Sequence, residues 1–367
     1  MAKKAYNDMS TAGNKPIPAP AIRYQPPLPR RYSPPVALIG CGGVSTYHLA
    51  AYRAMKLNVV ALCDRHPERA DARRKEFFPK AKVYDEPRQL LGRDDIEVVD
   101  ITTHPKERAP LITAAIDAGK HVLSQKPFVL DLDVGERLAE RAERKGVKLA
   151  VNHNGRWAPH LSYVRNVIAA GLIGEVFAAH LACHWNHEWI ESTPFNAVHH
   201  IVLYDYAIHW FDILTCMMPD QTPRTVFATL ARAPHQKAKP PLLAQAILEF
   251  DNAQASLLFD AAIVAGPRDT GYIAGTRGSA RYEGTSLTQH AVTVNTEKGH
   301  FAPKLAGKWW REGFMGTMGE LLCAIEEKRE PFNSAQSSLA GLAACFAAVR
   351  SADSGRPQQV GKVRKMR

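Results

Sequence analysis

The sequence has no long apolar run and only a few cysteines. None of its hydrophobic segments approaches the roughly 18 residues that a membrane span requires, and its first residues, MAKKAYNDMSTAGNKP, lack the apolar centre of a secretory signal. The six cysteines among 367 residues form no Cys-x-x-Cys pair, which argues against a zinc site and against a disulfide framework. We therefore expect a soluble cytoplasmic protein with reduced thiols, and neither a membrane nor a metal partner.

The central part of the chain carries little net charge. The total is +11, but it is concentrated before residue 36, where six basic residues oppose only Asp8, and after residue 355, where five basic residues have no acidic counterpart. Nucleic-acid binding needs a basic face on a folded domain, whereas charged tails are usually solvated. The distribution predicts no nucleic-acid partner.

The hydrophobic pattern divides the chain into an arm and two domains. Residues 1–35 form an arm whose second half, KPIPAPAIRYQPPLPRRYSPP, is too rich in proline for a helix or a central strand. We expect it to be either disordered or laid across a surface. From 36 to 154, runs such as VALIG, NVVALCD and VVDITT alternate with helical spacing, which predicts an α/β Rossmann domain. From 155 to 367, segments such as AQAILEFD predict an α+β domain with a large open, mostly antiparallel sheet.

A glycine-rich turn follows the first predicted strand. VALIGCGGVS places Gly40 and Gly42 after the strand and Ser45 at the third position of a dinucleotide fingerprint, ahead of a helical segment. The first glycine permits a tight turn, and the second lets the backbone approach a pyrophosphate. Asp64 ends the next strand, where a carboxylate can accept the ribose hydroxyls of an adenosine. The pattern favours NAD over NADP, although Arg65 could cover a 2′-phosphate and keeps NADP open.

A second signature surrounds a lysine. AGKHVLSQKP sets Lys126 at the end of an apolar run, where an ammonium must reach water or serve a ligand. Together with the glycine turn, Asp64 and the segment DYAIHWFD, it resembles the A-G-K-H-V-x-x-E-K-P signature of the Gfo/Idh/MocA family of oxidoreductases, which includes glucose-fructose oxidoreductase and inositol dehydrogenase. The resemblance covers the chain from residue 36 onward. It implies an NAD(P)-dependent oxidoreductase acting on CH-OH groups of sugars, inositols or related polyols.

The resemblance implies a catalytic set of Lys126, Asp205 and His209. In the family the signature lysine contacts the reacting hydroxyl, and a helix supplies an aspartate and, four residues later, a histidine. Residues four apart share a helix face, and a neutral histidine can accept the hydroxyl proton near working pH. We predict His209 as the acid/base, Asp205 as a substrate binder and Lys126 as a polariser of the hydroxyl. The family pattern also implies a cis bond before Pro127, while Asp212 could be structural.

The predicted cofactor site extends beyond the glycine turn. By the same resemblance it comprises Gly40, Gly42, Gly43, Val44, Ser45, Asp64, Arg65, Thr102, Thr103, His104, Gln125 and Lys126. Two positions depart from the family pattern, because Gln125 replaces the usual glutamate and Arg108 stands where a histidine is common. These departures leave the cofactor contacts of the two positions open.

The predicted substrate site is rich in aromatic and hydrogen-bonding side chains. NHNGRWAPH stands where the family's second domain meets its substrate, HWNHEW adds further such groups, and aromatic rings suit the apolar faces of a pyranose. A zinc site at His184, His187 and Glu188 is disfavoured, because residues three apart on a strand point to opposite faces. The predicted substrate-binding residues are Asn154, Arg156, Trp157, His184, Asp205 and His209.

These features are similar to the branch of the family that oxidises the C3 hydroxyl of glycosides. We therefore predict an NAD-dependent dehydrogenase that transfers hydride from a secondary hydroxyl of a sugar or glycoside, at C3, to nicotinamide. Alternatives are a redox-neutral enzyme with tightly bound NAD, which oxidises transiently and then eliminates or hydrolyses a glycoside, and an inositol or polyol dehydrogenase. A non-catalytic NAD-binding protein is a further alternative, whose function would survive loss of His209.

The arm and the open sheet predict a homo-oligomer. The arm is similar to the N-terminal arm of glucose-fructose oxidoreductase, which implies a position over the cofactor and a neighbouring subunit. The free face of the second sheet would be buried only against another subunit. We therefore expect a homodimer or homotetramer.

Overall fold

The first folded unit is a Rossmann domain. The computed structural model describes residues 15–366, so residues 1–14 of the predicted arm lie outside the described part. The sheet has the parallel strand order β3-β2-β1-β4-β5-β6, which places the loops after β1, β2, β4 and β5 along one edge. Its elements are β1 (Pro35–Ile39), α1 (Ser45–Ala54), β2 (Asn58–Cys63), α2 (Pro67–Phe77), β3 (Lys82–Tyr84), α3 (Pro87–Leu91), β4 (Val98–Ile101), α4 (Pro105–Asp117), β5 (His121–Ser124), α5 (Leu132–Arg144) and β6 (Leu149–Val151).

The second unit is built on a sheet of nine strands. Their order is β14-β13-β12-β11-β7-β10-β9-β8-β15, in which β7 pairs in parallel with β10 and the other neighbouring strands of the described chain are antiparallel. The predicted fold class of both domains is thus confirmed. The elements are α6 (Pro159–Ala169), β7 (Val176–His184), α7 (Ile208–Met217), β8 (Thr225–Ala231), β9 (Leu243–Glu249), β10 (Gln254–Asp260), β11 (Arg268–Gly275), β12 (Gly278–Ser286), β13 (Gln289–Thr296), β14 (Gly299–Phe301), α8 (Trp309–Glu326), α9 (Ala335–Ser354) and β15 (Gln358–Gln359).

The last two helices return to the Rossmann domain. Phe314, Met318 and Leu321 of α8 are buried in one cluster with Leu38 of β1 and Tyr52 of α1. Helix α9 packs against α5 as well as against α7 and β8. Residue 154 therefore separates the two sheets, but helices α8 and α9 join the hydrophobic cores of the two domains. None of the helices within residues 15–366 has the length and apolar character of a bilayer span.

The nine-stranded sheet is covered on one face only. Along β9, residues Ala244, Ala246 and Leu248 are buried while the residues between them are exposed, as expected of a sheet with one solvated face. The buried face packs on α7 and α9. The catalytic candidates Asp205 and His209 therefore lie on the covered side, where the sheet faces the helices.

The described part of the arm lies across its own chain. Ile17 N donates to His300 O at 2.8 Å, which adds the arm to the edge of β14. Tyr24 O then accepts from Ser162 Oγ of α6 at 2.8 Å. At the end of the arm, the Glu326 carboxylate accepts from three successive backbone N–H groups, of residues 30–32, at 2.6–2.9 Å. Of the two predicted alternatives, the segment from residue 15 adopts the surface-bound one, on α6 and α8.

Candidate active site

The glycine turn between β1 and α1 has room for a phosphate. Gly40 has φ +99°, and a Cβ there would lie 3.0 Å from Thr103 N, so only glycine fits. Above Gly42 and Gly43 the space is open, since an added Cβ would meet nothing within 4 Å. Ser45 begins α1 and donates to Gly42 O at 2.6 Å. An open glycine turn at the start of a ten-residue helix is a site where backbone N–H groups can bind an anion.

Asp64 is held beside this turn. Its Oδ2 accepts from Cys41 N at 2.7 Å and its Oδ1 from His66 N at 2.9 Å. Each carboxylate oxygen keeps a lone pair, so the group can still accept from a ribose hydroxyl. Arg65 points away from it into solvent, with a 72% exposed side chain paired to Glu107 at 3.0 Å. The observed geometry offers a carboxylate at the ribose position after β2, and Arg73 Nε lies 3.3 Å from Ser45 Oγ at the start of α1.

Gln125 belongs to a buried hydrogen-bond chain. Its Oε1 accepts from Lys126 N at 3.0 Å and from Asn152 Nδ2 at 2.6 Å. Asn152 Nδ2 lies 3.2 Å from His48 Nε2, and His48 Nδ1 lies 2.7 Å from Asp100 Oδ2. The glutamate of the family pattern could not accept these same bonds without burying a second carboxylate near Asp100. The chain thus gives a physical reason for the amide at position 125.

The remaining predicted cofactor residues surround the turn. Thr102 donates to Gly40 O, and Val44 and His104 directly precede helices α1 and α4. Thr103 Oγ1 is buried and has no hydrogen-bond partner among residues 15–366. The structure therefore brings these residues together at the edge where a dinucleotide would lie.

Lys126, Asp205 and His209 come together across the two domains. Lys126 follows β5 and its bond to Pro127 is cis, as predicted. Its Nζ donates to Asp205 O at 2.8 Å and lies 3.1 Å from Asp205 Oδ1. Asp205 sits in a π-helical turn, Val202–Tyr206, that leads into α7, and such turns are frequent at functional sites. The turn places Asp205 beside the lysine while His209 enters the first turn of α7.

His209 is a neutral base in its surroundings. It is 8% exposed, and its Nδ1 has no hydrogen-bond partner within the described chain. Burial lowers the pKa of His209 well below its usual value, and the nearby charges of Lys126 and His153 lower it further. An imidazole that is neutral at pH 7 keeps a lone pair for a proton.

Two histidines outside the predicted set of site residues also border the site: His187 of the sugar-binding candidate segment HWNHEW, and His153, which received no role from the sequence. His187 is packed by the rings of Trp185, Trp189 and Tyr206. Burial lowers the pKa of His187 to about 4, with Asp205 opposing and Lys126 adding to the effect. His153 is 1% exposed, has no hydrogen bond to either ring nitrogen among residues 15–366, and burial lowers its pKa to about 4. The sequence shows these two histidines in the segments NHN and WNHEW, but it does not show how deeply their side chains are buried.

Three predicted substrate-binding residues are instead buried in the packing of the domains. Arg156 is 1% exposed, and its guanidinium donates to both carboxylate oxygens of Asp212 at 2.6 and 2.8 Å. Asn154 accepts from Trp309 Nε1 of α8 at 2.8 Å, and Trp157 is 3% exposed. The guanidinium of Arg156 and the side-chain oxygen of Asn154 are therefore engaged within the protein. Arg156 is therefore structural together with its partner Asp212, whereas a substrate role for Asn154 and Trp157 stays a prediction.

His184 also differs from its predicted place. It lies on the outer face of β7, because successive strand residues alternate between faces and Cys183 points inward. Its Nδ1 lies 2.7 Å from Asp260 Oδ2 of the neighbouring strand β10. The substrate assignment of His184 is therefore corrected, and His187 takes its position near Asp205.

Arg108 braces the loop that carries the lysine. It is 1% exposed, and its guanidinium donates to Pro127 O and, at 2.6 Å, to Thr103 O. Burial lowers the pKa of Arg108 to about 10. Arg108, which replaces the histidine of the family pattern, thus links the loops after β4 and β5.

One buried cluster has the composition of a metal site but not its geometry. His160, Asp269 and His290 bring their donor atoms within 4.8 Å of one another. The two imidazole rings stack at 3.5 Å with planes 16° apart, so their lone pairs lie in two nearly parallel planes and do not converge on one ion. His290 Nε2 lies 2.8 Å from Asp269 Oδ2, and we assign the cluster to core packing.

Comparison with known proteins gives two family matches. Residues 35–153 match the model described as "Oxidoreductase family, NAD-binding Rossmann fold". Residues 161–281 match the model described as "GFO/IDH/MocA C-terminal domain". The matched segments include the glycine turn, Lys126, Asp205 and His209.

Individual relatives are similar over part of their length. D-apiose dehydrogenase of Paraburkholderia graminis is 32% identical over 188 residues, which are 51% of this chain and 50% of the relative. Inositol 2-dehydrogenase of Salmonella typhimurium is 27% identical over 47% of this chain and 53% of the relative. The chain thus matches about half the length of these curated relatives.

Solved structures share the whole architecture. An oxidoreductase from Agrobacterium radiobacter in complex with NAD+, L-tartaric acid and magnesium has a TM-score of 0.81 at 23% identity, covering 90% of this chain and 99% of the other. Levoglucosan dehydrogenase in complex with NADH and levoglucosan has a TM-score of 0.77 at 21% identity, covering 90% and 100%. At these identities the similarity establishes the fold.

Proposed function

The chain belongs to the GFO/IDH/MocA family of oxidoreductases, and on that premise we propose that it is an NAD-dependent dehydrogenase that oxidises the C3 hydroxyl of a sugar or glycoside. The observation that carries the proposal is the convergence of Lys126 and Asp205 at 3.1 Å beside the buried, neutral His209. This group lies at the edge of the Rossmann sheet that also holds the glycine turn. A cation and a base beside a dinucleotide site suit the oxidation of an alcohol.

The three side chains have complementary roles. Lys126 donates a hydrogen bond to the substrate oxygen and stabilises the negative charge that develops on it. His209 accepts the hydroxyl proton on its free lone pair. Asp205 orients the ammonium of Lys126 and accepts from a neighbouring hydroxyl of the substrate. A bound nicotinamide supplies the hydride acceptor.

The residues present fit NAD. The open space at Gly42 and Gly43 suits a pyrophosphate, and Asp64 suits a ribose with two free hydroxyls. A 2′-phosphate would meet the Asp64 carboxylate while the nearby Arg65 is engaged with Glu107. We therefore propose NAD rather than NADP.

A sugar ring suits the aromatic wall of the site. Trp185, Trp189 and Tyr206 surround His187, with ring centroids 4.9–5.8 Å from its imidazole. Such faces pack on the C–H face of a pyranose while His187 and Asp205 serve its hydroxyls. This arrangement supports a sugar or glycoside over a small acyclic alcohol.

A substrate screen tests the proposed function. Purified protein is mixed with NAD or NADP and with methyl glucosides, free sugars, levoglucosan, D-apiose and myo-inositol, and NADH formation is followed by absorbance. We expect NAD reduction with at least one pyranoside, a 3-keto product by NMR, and at least tenfold lower kcat/KM with NADP. Reduction with myo-inositol alone would contradict C3 oxidation. Turnover without added NAD, together with bound NAD in the purified protein, would support the redox-neutral alternative instead.

We propose that the outer sheet face forms a homo-oligomer. Four large apolar side chains on this face are 37–58% exposed: Phe227, Ile247, Leu258 and Tyr272. Because each is already about half-buried, burial of the remainder would contribute about 1 kcal/mol per side chain. Ile247→Glu is expected to weaken self-association about 10- to 100-fold, as measured by light scattering over a concentration series.

The matched control for this surface is Val264→Glu. Val264 is 81% exposed but lies in the turn after β10, away from the outer face. This variant should assemble like the wild type. A wild type that is monomeric at all concentrations would refute the proposed interface.

We also propose a cytoplasmic location. All six cysteines are free thiols, and five of them are buried. Unpaired cysteines on this scale are usual where the compartment is reducing.

A further inference from the structure

A cavity of about 430 Å³ lies between the arm and helix α6. Its walls include Arg23 and Gln25 of the arm, Arg165 of α6, Trp157 and Phe332. The catalytic candidates Lys126, Asp205 and His209 are not among its lining residues. Its volume lies within the range of about 300–1,000 Å³ that is usual for small-molecule sites. The cavity is therefore separate from the catalytic candidates, and Trp157 of the Asn154–Trp157 turn lines it.

Arg165 contributes an unneutralised cation to this cavity. Its guanidinium carbon lies 4.5 Å above the Phe332 ring, and Nη2 donates to Ser162 Oγ at 3.3 Å. Its Nε is buried without a hydrogen-bond partner, and the side chain forms no ion pair with any of residues 15–366. Burial lowers the pKa of Arg165 below its usual value. A partly buried cation with no carboxylate in hydrogen-bond contact favours an anionic ligand.

The carboxylate in the wall, Glu320, attracts this cation but makes no hydrogen bond to it. Glu320 is the carboxylate of the lining, but it already accepts from Arg329 Nη2 at 3.2 Å and from Phe332 N at 2.8 Å. Arg23 adds a second positive charge from the arm. The arm is fixed here, because Asn166 Nδ2 donates to Arg23 O at 2.6 Å. The cavity is thus a positively charged space that is open to solvent and has an ordered segment along one side.

We propose that this cavity binds a small oxyanion, supplied by a phosphate group or a carboxylate, with Arg165 as its principal donor. A guanidinium presents N–H groups that match both kinds of oxyanion. The rings of Trp157 and Phe332 pack against the remainder of the ligand. Arg23 provides the second charge and makes the arm part of the site.

Calorimetric titration of the full-length protein tests the site. The probes are inorganic phosphate and malonate at constant ionic strength, with NAD saturating, because the glycine turn itself attracts anions. We expect saturable binding of at least one probe and at least tenfold weaker binding in Arg165→Gln. Binding of phosphate alone identifies a phosphate group as the ligand, and binding of malonate identifies a carboxylate. The readout is independent of turnover.

Two further variants keep the proposal falsifiable. Arg23→Glu changes an exposed arm residue and should also weaken binding at least tenfold if Arg165→Gln fails to fold. Arg141→Gln removes a surface arginine that is paired with Asp117 at 2.7 Å, and should leave binding unchanged. Absence of saturable binding of both probes, or equal affinity in the wild type and a folded Arg165→Gln or Arg23→Glu protein, would overturn the proposal.

Discussion

Replacing His209 with Asn is expected to lower kcat by about 10²- to 10⁴-fold, which is the usual contribution of a positioned acid or base. The amide fills similar space but cannot accept the hydroxyl proton. Cofactor binding should be unchanged, because His209 belongs to α7 and not to the glycine turn. The measurement is kcat and KM with the substrate found in the screen, together with an NADH titration by fluorescence.

The pH profile gives a second readout for His209. Its pKa lies well below the ordinary 6.5 because the ring is buried and faces positive charge. The neutral, proton-accepting form therefore persists below pH 6.5, and the imidazolium that forms in stronger acid cannot accept a proton. Where His209 determines the rate of alcohol oxidation, we expect this rate to stay level as the pH falls to about 6.5. The rate should decline only below that pH.

The matched control for His209 is His184→Asn. His184 lies on the outer sheet face with Asp260 and away from the helices, so this variant should retain the wild-type kcat. Equal losses in the two variants would indicate a general effect on folding. A His209→Asn protein with kcat within tenfold of the wild type would remove the acid/base assignment.

The parts that the sequence predicted are those set by local signals. The glycine turn, Asp64 and the lysine each follow a short strand directly, and the parallel order brings such positions to one edge. Asp205 and His209 are also linked by local spacing, although the π-helical turn between Val202 and Tyr206 has no evident signal in the sequence.

The parts that were missed depend on distant packing. Gly313 and Gly316 of α8 let that helix approach the Asn154–Trp157 turn, since an added Cβ would lie 2.6 Å from Asn154 O and 2.1 Å from Trp157 Cγ. About 160 residues separate the two elements, so no local pattern shows that this turn is buried. For His184 and His187, strand alternation was applied correctly, but β7 ends at His184 and the chain turns before His187 reaches the site.

Replacing Lys126 with Met is expected to lower kcat by about 10²- to 10³-fold, as for loss of a donor to a developing oxyanion. The side chain is 14% exposed and touches Asp205 through both of its hydrogen bonds. Without the ammonium, the substrate oxygen loses its positive partner and Asp205 is left unneutralised beside it. Lys126→Arg should not restore the rate, because a planar guanidinium cannot replace a compact ammonium at this distance.

Lys148→Met is the control for Lys126→Met, because Lys148 pairs with Glu330 at 2.9 Å at the surface of the same domain. It should keep the wild-type kcat, and both variants should bind NADH. A Lys126→Met protein that keeps more than a tenth of the wild-type kcat would contradict the polarising role. A protein that only binds the dinucleotide would need neither the cation of Lys126 nor the base of His209. Loss of turnover with intact NADH binding in both Lys126→Met and His209→Asn would therefore identify a dehydrogenase.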